Sequence, residues 1–359
     1  MARIGVVLGA GGPLGQAYHL GVLTALTELS GWDTRQCEVL VGTSAGSLIG
    51  AYLRRGLSAA DLAATMVGAQ ASAQGQELLD RMGAASQVGP PHGFRPWPTA
   101  PALLLRALRR PVRLGVLGSA LLPAGTTDIE LVVDRIRSLY LDADWPDEEF
   151  LVSAIRLSDG RRVTFGLDDS PLVDVGTAVA ASCALPGYLT PVVINGDRYV
   201  DGGAHSPTNA DLLVGRDLDL VIISSPQSVG HDVKGRLDLP LRIARRRYLA
   251  AEVAGLRKAG TAVIVFQPGA ADLAAMGLNP LNLQRRAQVI EQARQSTLDR
   301  LNRQGRASKA IRLLRPSMQP VPRPSQPAET GVRTAEPREA RVRSTSDVRR
   351  RGGPPTEEE

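Results

Sequence analysis

At 359 residues, with 43% apolar and 22% charged side chains, the chain has the composition of a globular protein with ample material for a core. A net charge of +6, carried mostly by arginine, is too modest to argue for nucleic acid, and no nucleic-acid partner is expected. Two cysteines, Cys37 and Cys183, exclude a disulfide framework and a cysteine metal centre; with a reducing compartment the simplest fit, the protein is expected to be cytoplasmic, with peripheral contact at a membrane surface left open.

The apolar run 4–8 is too short for the core of a signal peptide and predicts a first buried strand. A glycine-rich turn, "GAGGPLG" (9–15), leads into a helix over "AYHLGVLTALTEL" (17–29). A strand at 38–41 then meets "GTSAG" and a helix over 45–54. This strand–helix–strand–helix start predicts a parallel sheet covered by helices. A helical stretch at 58–82, capped by Ser58, precedes the Pro/Gly-rich break 87–101. Segment 102–122 is apolar with interleaved arginines at 106, 109, 110 and 113, and a helix follows over 127–141. Strands from Phe150 turn back through "SDG" (158–160), and a helix at 172–182 stops before Pro186. Asn195-Gly196 predicts a hairpin turn. A strand at 218–224, an Arg-rich helix at 239–258, a strand at 261–266 and helix over 282–314 complete the alternation. Beyond Arg315 the chain turns to Pro, Arg, Ser and Glu, the composition of a disordered tail (316–359). No stretch reaches the roughly 20 apolar residues of a spanning helix.

Three segments carry candidate chemistry. "GTSAG" fits the G-x-S-x-G elbow, with a strand before it and a helix after it, which would expose the Ser44 hydroxyl at a strained apex. Gly42 and Gly46 keep side chains clear of neighbouring backbone there; a simple helix N-cap would not need them. The turn Gly9–Gly15 could cradle a pyrophosphate or offer oxyanion-hole N–H groups. The dinucleotide spacing fails, with Leu14 in the third glycine position when counted from Gly9, so a nicotinamide oxidoreductase is disfavoured. In "RYVDGGAHSPTNA", Asp201 ends a strand before Gly202 and Gly203. It is either an Asp-Gly turn residue or the partner of a nucleophile. Of the four histidines, His92 and His231 sit in loops and His19 reads as structural, which leaves a Ser44–Asp201–His205 triad open.

Taken in order, "GAGGPLG", "GTSAG" and "VDGG", with "AVAASCALPGYLTPVVINGDRYVDGG" leading to the last, resemble the signatures of the patatin-like phospholipases over residues 3 to about 225. The resemblance implies a three-layer α/β/α sandwich with a mainly parallel central sheet, over residues 1–315, with an insertion or lid near 83–125. It implies a Ser44–Asp201 dyad without histidine, metal or cofactor, in which Asp201 takes the serine proton and the backbone N–H groups of Gly11 and Gly12 form the oxyanion hole. The implied reaction is hydrolysis of lipid acyl esters through an acyl-serine. The substrate would be a phospholipid, lysophospholipid or glyceride, and segment 102–122 a lid or lipid-contacting surface. Two departures stand out. Leu14 replaces the basic residue usual before the last glycine of the loop, and the stretch between Gly15 and Gly21 is one residue longer. The first motivates an alternative, a lipid-binding or regulatory protein with weak or lost catalysis.

Overall fold

The computed structural model describes residues 2–82, 97–109, 111–141, 144–230, 233–304 and 309–314. Strand β1 (Ile4–Leu8) alternates its side chains between two cores: Ile4, Val6 and Leu8 face one, Val7 the other. β2 (Val39–Gly42) and β7 (Leu220–Ser224) flank it in parallel, and their alternation matches, with Leu40, Leu220 and Ile222 on the first face and Val39, Val41, Val221 and Ile223 on the second. That period of two is what a strand buried on both faces requires. β8 (Ala262–Phe266) extends the parallel sheet beyond β7, and β3 (Glu149–Arg156) extends it beyond β2.

Helices α1 (Gly12–Ser30), α2 (Ala45–Arg54) and α11 (Arg286–Gln304) cover the first face, joined by α8 (Val175–Cys183) and α10 (Ala270–Met276). Helix α9 (Leu239–Lys258) covers the second through Leu249, Val253 and Leu256, beside the short turn Ala210–Leu213. The result is the expected α/β/α sandwich with a mainly parallel sheet.

The registers along β3 place the two ends that matter. β4 (Arg162–Phe165) pairs antiparallel with β3 from Val152 to Ile155 and occupies one edge. β2 ends opposite Val152 at Gly42, and β6 (Asp197–Asp201) ends opposite Ala154 at Asp201. Val152 and Ala154 each also pair with β4, so β2 and β6 must share the other edge of β3, running toward each other. β5 (Val192–Ile194) closes the hairpin with β6 through Asn195 and Gly196, both at positive φ as that tight turn requires.

Several boundaries differ from the sequence reading. α1 begins at Gly12 rather than Ala17, because Pro13 at its first turn pre-sets a helical φ and lacks an N–H that would go unpaired there. The stretch 58–82 is two helices, α3 (Ala59–Met66) and α4 (Ala73–Arg81), each capped by its own serine, Ser58 and Ser72. The helix placed over 127–141 is shorter, α7 (Glu130–Arg137), and α10 falls in a stretch read without structure. The final helical stretch divides into α11 and α12 (Lys309–Leu314). Segment 102–122 forms two short helices, α5 (Pro101–Ala107) and α6 (Leu114–Leu121). They pack through Leu103, Val116 and Ala120 on Ile155, Leu157 and Val200. Their other side exposes Leu105, Leu108, Leu114 and Leu121, so the segment is both a packed helical pair and an apolar surface. Residues 83–96 of the expected insertion, His92, Arg110, His231 and the tail from 316 lie outside the described residues.

Candidate active site

Ser44 sits between β2 and α2 with φ 52° and ψ −117°, a conformation L-residues adopt only when surrounding structure enforces it. The enforcement is visible. A Cβ on Gly46 would lie 1.9 Å from the Leu8 carbonyl oxygen, and one on Gly42 would lie 2.5 Å from Ser47 Cα, so the turn closes only with glycine at both positions. The Ser44 N–H donates to Ser182 Oγ at 2.9 Å, and Ser182 in turn donates to the Ser153 carbonyl at 2.7 Å. Its carbonyl accepts from the Ser47 hydroxyl at 2.7 Å. Thr43, just before it, accepts from the Asn209 side-chain amide at 3.0 Å.

Asp201 is 4% exposed at the end of β6. Its carboxylate accepts from the Gly203 N–H at 2.7 Å, as an Asp-Gly turn would have it, and also interacts with the Ser44 hydroxyl. Burial raises its pKa to about 6, against the opposing effects of Ser44, the Gly203 N–H and the Arg245 guanidinium. The turn reading and the partner reading therefore describe the same carboxylate. Gly202 stands where a Cβ would meet the Ser153 carbonyl at 2.2 Å, and Gly203 packs beside Ala10. The chain beyond is clamped by the half-buried Glu252, which accepts from Ser206, Thr208 and the Ala210 N–H.

The glycine-rich loop supplies N–H groups. Those of Gly9 and Ala10 donate to the carbonyls of Ser224 and Pro207, and those of Leu14 and Gly15 to Pro280 and Gly11. Pro13 has none. The N–H groups of Gly11 and Gly12 carry no hydrogen bond among the described residues, and they stand at the N-terminus of α1, whose dipole favours negative charge. Gly12 takes φ +60°, whereas Gly15 has room for a methyl group, its nearest neighbours lying at 3.5 Å. Leu14 points fully into the core, so no cation is presented from that position.

His19 is buried and structural. Its Nε2–H donates to the Gly9 carbonyl at 2.7 Å and Nδ1 accepts from the Ser224 hydroxyl at 2.8 Å, tying α1 to the start of the loop. Desolvation lowers its pKa to about 4, so it is neutral at physiological pH. His205 lies four residues past Asp201, but the charges acting on it are Arg162, Arg113 and Asp211, not Ser44 or Asp201. Burial and the two arginines lower its pKa to about 4 as well. The structure thus brings Ser44 and Asp201 together, and among the described residues no side-chain hydrogen bond joins His205 to either.

Three participants escape a reading of local sequence. Ser182 and Cys183, at the end of α8, flank Ser44, with the Cys183 thiol beside the Ser44 and Ser47 hydroxyls and pushed up to about 12 by burial. Arg245, on α9, faces Asp201 electrostatically. Among the described residues no group of three or more His, Cys, Asp or Glu side chains could hold a metal ion.

Residues 6–214 match the family model of the patatin-like phospholipases. The chain belongs to that family. Members of that family act on lipid substrates, and the match spans both the glycine loop and the Ser44 turn. Among solved structures, VipD from Legionella pneumophila is similar at 14% identity, with 84% of this chain and 67% of that one covered and a TM-score of 0.38. The type III effector ExoU is similar at 15% identity, covering 84% of this chain at a TM-score of 0.37, and this chain spans about half of its length, 53%. ExoU in its complex with SpcU, from Pseudomonas aeruginosa, gives 16% identity, 86% and 52% coverage and a TM-score of 0.34.

Proposed function

We propose that this chain hydrolyses acyl esters of lipids with Ser44 as nucleophile and Asp201 as its base, through an acyl-serine that water then cleaves. The observation carrying this reading is the strained Ser44 elbow beside a buried carboxylate of raised pKa. Asp201 accepts the hydroxyl proton as Ser44 Oγ attacks the ester carbonyl. The alkoxide that develops on the carbonyl oxygen is met by the N–H groups of Gly11 and Gly12, the pair left without partners. The proton passes from Asp201 to the departing alcohol, and water, deprotonated by the same carboxylate, releases the fatty acid. A carboxylate whose pKa is about 6 is a far better proton acceptor than an ordinary aspartate, and it is still ionised at neutral pH.

The exposed leucines of α5 and α6, flanked by Arg106, Arg109 and Arg113, are read as the surface that meets lipid. The N-terminus of α6 borders the site: a Cβ on Gly115 would touch the Ala204 carbonyl, and Arg113 donates to the His205 carbonyl at 3.0 Å. Replacing Leu108 and Leu114 by serine is expected to weaken vesicle binding severalfold; unaltered binding would remove the surface from the account.

The test is hydrolysis of a medium-chain p-nitrophenyl ester by wild type, Ser44→Ala, Asp201→Asn and His205→Ala. Loss of at least about a thousandfold in the first two variants, with His205→Ala active, is expected. Loss in all three would restore a triad. An inactive wild type would favour the regulatory reading that Leu14 motivates.

A further inference from the structure

The inward stripe of α9 is apolar where it crosses the sheet, through Leu249, Val253 and Leu256. One turn before Leu249, on the same face, the residue is Arg245. Contacts on either side of it locate this turn of the helix. On the N-terminal side, Arg242 donates to the carbonyls of Pro226 and Ser228 at 2.8 and 3.2 Å. Pro226 is the residue that a Cβ on Gly11 would meet at 3.0 Å, so this end of α9 rests beside the loop bearing the free N–H groups. On the C-terminal side, Glu252 holds the segment Ser206–Thr208–Ala210 that follows Asp201. Between these anchors Tyr248 lies under the Arg113 guanidinium, 5.8 Å from its ring centroid, at the edge where α6 meets His205. Arg245 is thus presented between the glycine loop and the Asp201 turn.

Its neighbours on α9 are occupied and it is not. Arg242 is paired with Asp238 at 2.6 Å, and Arg246 reaches the Gly230 carbonyl at 3.4 Å. Arg245 makes no hydrogen bond or ion pair with the described residues, although it is half-buried and within the electrostatic reach of Asp201. Desolvation and the nearby Arg242 lower its pKa to about 10, which leaves it cationic at neutral pH. The Asp201 carboxylate is engaged by Ser44 and the Gly203 N–H and makes no ion pair with it. A partly desolvated guanidinium without acceptors is unfavourable, and its planar fork of N–H donors matches a phosphate or carboxylate.

We propose that Arg245 is the headgroup-recognition residue of this site and binds the phosphodiester of a glycerophospholipid whose acyl ester lies at Ser44. In such a lipid only a short glycerol spacer separates the phosphate from the ester carbonyls, so one molecule presents both groups side by side. The proposal rests on the hydrolase reading for the position of the ester, and it makes phospholipid the preferred substrate over neutral glyceride.

Binding to the full-length Ser44→Ala chain tests it without turnover, using monomeric dihexanoyl phosphatidylglycerol and dihexanoylglycerol in calorimetric titrations. The phospholipid is expected to bind at least tenfold more tightly than the diglyceride. Adding Arg245→Gln is expected to erase that preference, and adding Arg245→Lys to restore part of it. An undiminished preference in Arg245→Gln, with an unchanged melting temperature showing the variant folded, would overturn the proposal. So would inorganic phosphate displacing the phospholipid at equal concentration, which would make this a free-phosphate site. If Arg245→Gln does not fold, Arg245→Lys decides alone: a preference kept at its full wild-type size would contradict a role for the bidentate fork. Failure of the hydrolase reading shows separately, as a wild type inactive on p-nitrophenyl esters whose lipid binding still depends on Arg245.

Discussion

Ser44 and Asp201 approach each other from strands that run head to head along one edge of β3, with β2 ending opposite Val152 and β6 opposite Ala154. Residues 157 positions apart in sequence are brought together by a register only two residues wide. The arrangement explains why both are followed by backbone that tolerates no side chain. Gly46 abuts the Leu8 carbonyl of β1 and Gly202 the Ser153 carbonyl of β3, so each chain turns away from its strand tight against a neighbouring one. Ser182 fastens the meeting point by bonding to Ser44 on one side and to Ser153 of β3 on the other.

Two glycines of the motifs are expected to behave oppositely. Gly46→Ala places a methyl against backbone at 1.9 Å and should destabilise the fold by more than about 3 kcal/mol, since backbone cannot give way as a side chain can. Gly15→Ala, inside α1 and with its nearest neighbours at 3.5 Å, should stabilise by about 0.5–1 kcal/mol. Urea unfolding of both variants measures the contrast.

The rate should rise with pH on its acid side. Asp201 must be ionised to accept a proton, so kcat/KM for a neutral ester is expected to increase through an apparent pKa of about 6 and level off above it. Removing the nearby cation by Arg245→Gln should move this limb to higher pH, because that charge favours the carboxylate. A limb that stays near 4 would show that the titrating base is an ordinary carboxylate.

The same burial implies a stability cost. The folded-state pKa of about 6 exceeds the usual 3.8, so between these values the native chain holds a proton that the unfolded chain has lost. Stability from this group therefore falls as pH rises across that window, and above it the charged carboxylate costs about 3 kcal/mol. Asp201→Asn should raise the melting temperature at pH 8 by several degrees, and the gain should shrink toward pH 4. Thermal melts of both proteins across that range would show it. A loss of stability at pH 8 would mean that the hydrogen bonds of the carboxylate outweigh its desolvation.

Much of this was legible because it is written locally. The strand-to-helix turn at Ser44, the hairpin at Asn195-Gly196, the extent of α9 and the glycines around Asp201 each follow from a few adjacent residues whose backbone needs are specific. Pro13 was legible as a missing donor, but its role in starting α1 was not, since the apolar period begins later, beyond the glycines. The division at 66–73 was hidden because the two helices follow each other closely in one stretch free of proline; the break is marked by Gly68, at φ +73°, and by the second serine cap at Ser72. Arg245 could not be found in sequence at all. In "RIARRR" four arginines look alike, and only the packing of α9 distinguishes the one facing Asp201 from those paired at Asp238 or turned to solvent. Ser182 likewise has no motif; its role comes from α8 ending against the elbow.

The central claim is that Ser44 is an activated nucleophile, and covalent labelling tests it most directly. The full-length protein is treated with a fluorophosphonate probe at pH 8 and at pH 5, and the modified peptide is identified by mass spectrometry. The account predicts a single adduct on Ser44, formed faster at pH 8, slowed by at least about a hundredfold in Asp201→Asn and unaltered in its position by His205→Ala. No adduct on Ser44 in the folded wild-type protein, or equal labelling with Asp201→Asn, would contradict it.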